Sequence, residues 1–205
     1  MFENLPDLFH TLLNSEKIIQ YGGLTLIVIV IFAETGLFIG FFLPGDYLLF
    51  TSGVLCGTNY LDIPVFILLI SLTLASVAGN YVGFYTGKTL GKRLFTKPDS
   101  RFFKKERVEK AKRFYDKKGA LSLVLGRFLP IIRTFSPIIA GAIDMDIKKF
   151  SYYNWLGGFL WIWSLVLTGF FLGRTYPEII HYLNYFIFGF ILITTIILIK
   201  NAMEK

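Results

Sequence analysis

The chain has 205 residues, 54% of them apolar and only 17% charged, with a mean hydropathy of +0.59 and a formal net charge of +7. A soluble domain carries about 25% charged residues, so this chain has too little polar surface to clothe a water-soluble globule, and the apolar excess equally excludes a disordered one. Composition leaves an all-α integral membrane protein that crosses the bilayer more than once, within which the positive charge has to be located.

Residues 1–20 mix polar and apolar side chains and read as an N-terminal amphipathic segment. The opening stretch holds Glu3 and Asp7 and lacks the basic n-region of a signal peptide, so no cleaved signal is expected. Residues 24–55 are apolar except at Glu34, Pro44-Gly45 and Asp46. A crossing helix needs roughly 20 apolar residues, and the stretch 47–57 is too short. Two readings stay open: an ordinary helix 24–43 ending at Pro44, or a re-entrant hairpin that turns at Pro44 and Gly45. A proline's missing amide donor at such depth is tolerated only inside protein or beside a wet cavity. Residues 63–87 contain no charge and are expected to span.

The basicity is confined to residues 88–118, where thirteen Lys/Arg face four acids for a net +9; the rest of the chain carries eight against ten, or −2. A nucleic-acid footprint can look like this. Between two apolar segments the positive-inside rule accounts for it better, and the loop is expected in the cytoplasm with no nucleic-acid partner. Within it, Phe102, Phe103, Val108, Phe114 and Tyr115 lie among lysines, as an interfacial helix on an anionic leaflet requires; a solvated linker fits equally well. Residues 119–143 are apolar but hold Arg127, Pro130, Arg133 and Pro137, and two arginines make a simple crossing costly. A second re-entrant hairpin is expected there, with Pro130 and Pro137 at its tip. Residues 150–173 and 182–199 are expected to span, which makes about three spanning helices.

An internal repeat organises these segments. Gly40-Phe-Phe-Leu-Pro44 matches Gly126-Arg-Phe-Leu-Pro130, and Gly83-Phe-Tyr-Thr-Gly87-Lys88 matches Gly169-Phe-Phe-Leu-Gly173-Arg174, both at an offset of 86. With the basic loop inside, 63–87 and 150–173 cross in opposite senses, so the repeat is of inverted topology with two opposed hairpins meeting near the midplane. The expected organisation is 1–20, an amphipathic segment; 21–88, repeat 1; 89–118, the basic loop; 119–174, repeat 2; and 175–205, a C-terminal transmembrane helix. Symmetry puts the N-terminal segment outside.

Four charges stand in apolar surroundings: Glu34 and Asp46 in one repeat, Arg127 and Arg133 in the other. A charge at membrane depth costs about 2.5–17 kcal/mol, so such residues are functional candidates. They can simply pair across the repeats and fasten them together. The functional reading separates them by chemistry. Arginine stays cationic and its planar fork suits phosphate, so Arg127 and Arg133 are the expected substrate-binding pair for an anionic head group. Carboxylates titrate, so Glu34 and Asp46 are the expected proton-coupling pair.

Small residues at Ala75, Gly79, Gly83, Gly87 and Gly91 read as a close-packing stripe, as do Gly36 and Gly40. Tyr152, Tyr153, Trp155, Trp161 and Trp163 read mostly as interface belt and packing. His10 and His181 have no partner at metal-ligand spacing, and no metal or other cofactor is expected.

Gly126-Arg127-Phe-Leu-Pro130-Ile-Ile-Arg133-Thr-Phe-Ser-Pro137-Ile-Ile-Ala-Gly141 resembles the arginine signature of the DedA family of bacterial membrane proteins, which share a domain with eukaryotic lipid scramblases. Glu34-Thr-Gly-Leu-Phe-Ile-Gly-Phe-Phe-Leu-Pro44-Gly45-Asp46 resembles its acidic signature, and Gly79-Asn80 and Gly83 fit its pattern. The resemblance implies return of undecaprenyl phosphate across the bacterial cytoplasmic membrane, with the matching acids and arginines required, and two opposed re-entrant hairpins. Other family members imply phospholipid distribution or maintenance of membrane potential. The leading expectation is a proton-coupled flippase for a lipid phosphate. The alternatives are an energy-independent phospholipid scramblase, a proton–cation antiporter using the carboxylates alone, and an enzyme. Enzymatic function is disfavoured because the two histidines lie at opposite ends of the chain, outside the motifs.

Overall fold

The computed structural model describes residues 15–37, 45–95, 121–176 and 178. The amphipathic N-terminus before residue 15, the turn containing Gly40 and Pro44, the basic loop from 96 to 118, the predicted helix 182–199 and both histidines lie outside the described residues. Among the described residues the chain is helical with no strands: α1 (Ser15–Gly36), α2 (Gly45–Leu55), α3 (Val65–Phe95), α4 (Leu121–Leu125), a 3-10 turn (Gly126–Phe128), α5 (Pro130–Ala142) and α6 (Ile147–Thr175).

Val65–Leu90 and Ile147–Thr175 are long and apolar enough to cross a membrane; at 1.5 Å per residue they reach about 39 and 44 Å against a hydrocarbon core of about 30 Å. The eleven residues of α2 rise only about 16 Å and the thirteen of α5 about 20 Å. Helix α1 is kinked at Gly23, whose φ of 51° lies in the left-handed region, and its last residue is Gly36.

The starts of α5 and α6 are written locally. Pro130 is the first residue of α5, where its missing N–H costs nothing. Asp146 caps α6 by accepting from the Lys149 backbone N–H at 2.9 Å. Pro137, expected at a hairpin tip, lies inside α5 instead. Its ring is buried against α3 opposite Gly83, so it shapes a helix surface rather than a chain reversal.

Packing is crossed between the halves of the chain. Helix α2 lies along α6, and α5 lies along α3, while α1 also packs on α3. Glycine allows each contact. A Cβ on Gly169 would strike the Phe50 carbonyl of α2, and one on Gly87 would strike the Ile138 carbonyl of α5. Gly53 and Gly141 return the favour, meeting the carbonyls of Val166 and Phe84. The stripe on α3 also serves α1, since a Cβ at Gly36 would lie 2.9 Å from the Gly79 carbonyl oxygen. The larger apolar core joins Ile27, Ile31, Leu48, Leu49, Leu68, Leu72 and Trp161; a smaller one stacks Phe84 on Phe150 at 4.3 Å. Phe66, Ile70, Leu74, Phe159 and Phe171 are exposed on the two long helices, an arrangement suited to lipid and not to water.

Gly169→Leu and Gly87→Leu should each destabilise the protein by about 1–3 kcal/mol by overpacking, read as a lower thermal unfolding midpoint in detergent. Ala78→Leu, on an exposed face of α3, should leave the midpoint near the wild-type value.

Candidate functional site

The four charged residues converge. Glu34 stands in the last turn of α1, Asp46 in the first turn of α2, Arg127 in the 3-10 turn and Arg133 in the first turn of α5. Each occupies a helix end, and the two pairs of ends meet beside the middle of α6.

Arg133 is the centre. Its Nη2 donates to Glu34 Oε1 and its Nη1 donates to Asp46 Oδ1 at 2.6 Å. The guanidinium carbon lies 4.4 Å from the centroid of the Trp161 ring, a cation–π contact. The Trp161 indole N–H donates to the same Asp46 Oδ1 at 2.8 Å. Arg133 and Glu34 are almost fully buried, whereas the Asp46 side chain keeps 15% of its surface. Arg133 Nε is buried with no acceptor among the described residues. Gly45 completes the arrangement: a Cβ there would fall on the Glu34 carboxylate.

Arg127 is held differently. Its Nη1 donates to Ser76 Oγ at 2.6 Å, and its Nη2 donates to the Asn154 carbonyl at 3.1 Å and to Asn154 Oδ1. Asn154 Nδ2 in turn donates to the Val77 carbonyl at 3.1 Å. With its amide nitrogen turned to the Thr35 carbonyl at 3.1 Å, Asn80 presents its oxygen to Arg127 Nη2 at 2.5 Å. Gly157 and Gly158 make the room, since a Cβ on either would crowd the Arg127 side chain. The cradle is neutral. Among the described residues no carboxylate pairs with Arg127, and both acids pair with Arg133.

The structure therefore brings Glu34, Asp46, Arg127 and Arg133 into one buried cluster with formal charges that cancel. Gly45 lies under Glu34, and Pro130 opens the helix that carries Arg133. Pro44 lies outside the described residues, and Pro137 lies further along α5. Sequence reasoning missed Trp161, Ser76 and Asn154, and saw Asn80 only as part of a family pattern. The available signal was weak: an amide, Asn154, in an otherwise apolar span, and the Gly157-Gly158 pair beginning three residues beyond it. Among the described residues no group of three or more His, Cys, Asp or Glu side chains converges on a metal position.

A family model of the VTT domain matches residues 43–171. Protein DedA of Escherichia coli strain K12 is 34% identical over 182 residues, covering 88% of this chain and 83% of its own. The inner membrane protein YqjA of the same strain is 35% identical over 168 residues, covering 82% and 74%. A membrane protein of Mycobacterium tuberculosis strain H37Rv is 36% identical over 171 residues, covering 82% and 75%. No solved structure matches the chain.

Removing Arg133 leaves two carboxylates facing each other in a buried site. Arg133→Ala should cost about 3–5 kcal/mol, lowering the thermal midpoint in detergent. The double variant Glu34→Gln/Arg133→Met should recover part of that loss, since it leaves one acid, Asp46, against one arginine, Arg127, and the cluster neutral.

Proposed function

The chain belongs to the VTT-domain (DedA) family of membrane proteins, and from that premise we propose that it carries a lipid phosphate across the bacterial cytoplasmic membrane coupled to protons. The substrate is a long-chain polyprenyl phosphate, undecaprenyl phosphate in the cell. The observation that carries this reading is the buried Arg133 with two carboxylates on its fork. A guanidinium that holds two carboxylates has the geometry to hold a phosphate, and protonation of the carboxylates is the step that frees it.

The cycle follows from charge balance. With Glu34 and Asp46 ionised the cluster is neutral and offers an anion nothing. Protonating either leaves it cationic, because Arg127 and Arg133 do not release their protons. A phosphate then takes the place of a carboxylate on Arg133, and Arg127, held among the described residues by neutral groups, supplies attraction without competing for its own counter-ion. Loss of the proton restores the internal ion pairs and expels the phosphate. The prenyl chain stays in lipid throughout, along the exposed apolar row Leu125, Phe128, Leu129 and Ile132 beside the arginines.

Movement across the bilayer calls for two related halves. The crossed packing of α2 on α6 and α5 on α3, with Gly83 and Gly87 facing α5 while Gly169 and Gly173 face α2, supports the inverted repeat at offset 86. The short lengths of α2 and α5 support re-entrant arms. The +9 segment sets the orientation from the cytoplasm and meets anionic lipid rather than nucleic acid. The reading is of a transporter and not an enzyme: the four charged side chains are held in ion pairs and a neutral clasp.

Proteoliposomes loaded with a fluorescent polyprenyl phosphate test this. A pH gradient should drive movement of the lipid between leaflets, and Arg133→Ala should slow it at least about tenfold, as loss of a charged hydrogen-bonding group does. Glu34→Gln/Asp46→Asn should retain binding and lose the response to the gradient. Full activity in Arg133→Ala overturns the reading, and a rate indifferent to the gradient turns it into that of an energy-independent scramblase.

A further inference from the structure

Trp161 stands apart from the other tryptophans. Trp155 is exposed, whereas Trp161 is wholly buried, stacked on Arg133 and hydrogen-bonded to Asp46. An indole N–H is a donor only. Beside a carboxylate it can do one thing, which is to hold an oxyanion. The oxygen it holds is the one that Arg133 Nη1 also holds: Asp46 Oδ1 receives both bonds, at 2.8 and 2.6 Å.

We propose that the Trp161 N–H and Arg133 Nη1 form the receiving position for one oxygen of the substrate's phosphate, a position that Asp46 Oδ1 fills in this structure. The proposal deepens the lipid-phosphate reading and rests on it. The two donors differ from their occupant in how firmly they are fixed. Trp161 belongs to the larger core, packed with Leu48, Leu49 and Ile162 in the middle of a long helix. Asp46 is at the first turn of the short α2 and is the most exposed member of the triad. When Asp46 withdraws, a buried indole N–H and one guanidinium N–H lose their shared acceptor, and leaving such donors unpaired is costly. An incoming oxygen anion satisfies both. Arg133 Nη2, which holds Glu34 in this structure, is the neighbouring donor on the same fork for a second phosphate oxygen. A phosphate monoester, with three terminal oxygens, answers these donors better than a carboxylate with two.

The test uses the purified full chain in detergent micelles and farnesyl phosphate as the probe, with inorganic phosphate and farnesol as separate arms. Trp161→Phe keeps an aromatic ring over Arg133 and removes the N–H. It should raise the half-saturating farnesyl phosphate concentration about tenfold and leave the farnesol arm unchanged. Asp46→Asn, which weakens the internal competitor, should tighten binding, and the Trp161→Phe penalty should persist in the Asp46→Asn background. Disappearance of the penalty there would show that Trp161 acts only through Asp46, and equal binding by wild type and Trp161→Phe would overturn the proposal while leaving the transport reading intact. Absence of binding by the wild type overturns both. Saturation by inorganic phosphate as tight as by farnesyl phosphate assigns the site to free phosphate and defeats the lipid reading alone. A second measurement does not depend on altering Trp161: in Trp155→Phe/Trp163→Phe, where it is the sole tryptophan, its emission should change on adding farnesyl phosphate but not farnesol. An unchanged emission counts against the proposal.

Discussion

A guanidinium buried beside two carboxylates and an indole ring governs much of the rest of this molecule. Placing Arg133 away from water carries a large desolvation cost, and only close counter-charges offset it. Those counter-charges come from the other half of the chain, so Glu34 at the end of α1 and Asp46 at the start of α2 are drawn to the start of α5. Several small residues follow from that demand. Gly45 has no side chain because Glu34 occupies the space, and the crossed helices approach closely enough to align the charged ends because glycines stand at their contacts.

The unequal treatment of the two arginines gives the cluster its direction. Arg133 takes both acids; Arg127 takes a serine, an asparagine amide and a backbone carbonyl. Symmetric pairing, one acid to each arginine, would make two locked salt bridges. The observed arrangement makes one overloaded cation and one cation stabilised by dipoles. Protons added to the acids therefore act on a single residue, as the proposed exchange of a carboxylate for a ligand requires. The neutral clasp around Arg127 also ties α3 to α6, so the positive field is anchored on the two long helices.

Much of this was legible in the sequence. Ionised residues in apolar segments are conspicuous, and Glu34, Asp46, Arg127 and Arg133 are marked by the sequence alone. The spans also followed from apolar run length: 63–87 overlaps Val65–Phe95 from residue 65 on, 150–173 lies within Ile147–Thr175, and the short 47–57 is close to Gly45–Leu55. The partners were not legible, because pairing between residues 87 or 99 positions apart is decided by how helices cross. Trp161 was hidden for a related reason. One tryptophan in an aromatic-rich span does not declare which way it faces, and only the contact with α2 and α5 separates it from Trp155. Pro137 was misread as a turn because proline signals a break in a sequence while a membrane helix can absorb it.

The central claim is that Arg133 trades an internal carboxylate for an external phosphate and that a proton accompanies the trade. It is tested most directly by counting protons as prenyl phosphate binds to the purified protein in a weakly buffered detergent solution. Linkage requires roughly one more proton taken up per phosphate bound by the wild type than by Glu34→Gln/Asp46→Asn. Equal proton uptake by the two proteins, with binding intact in both, would contradict the account.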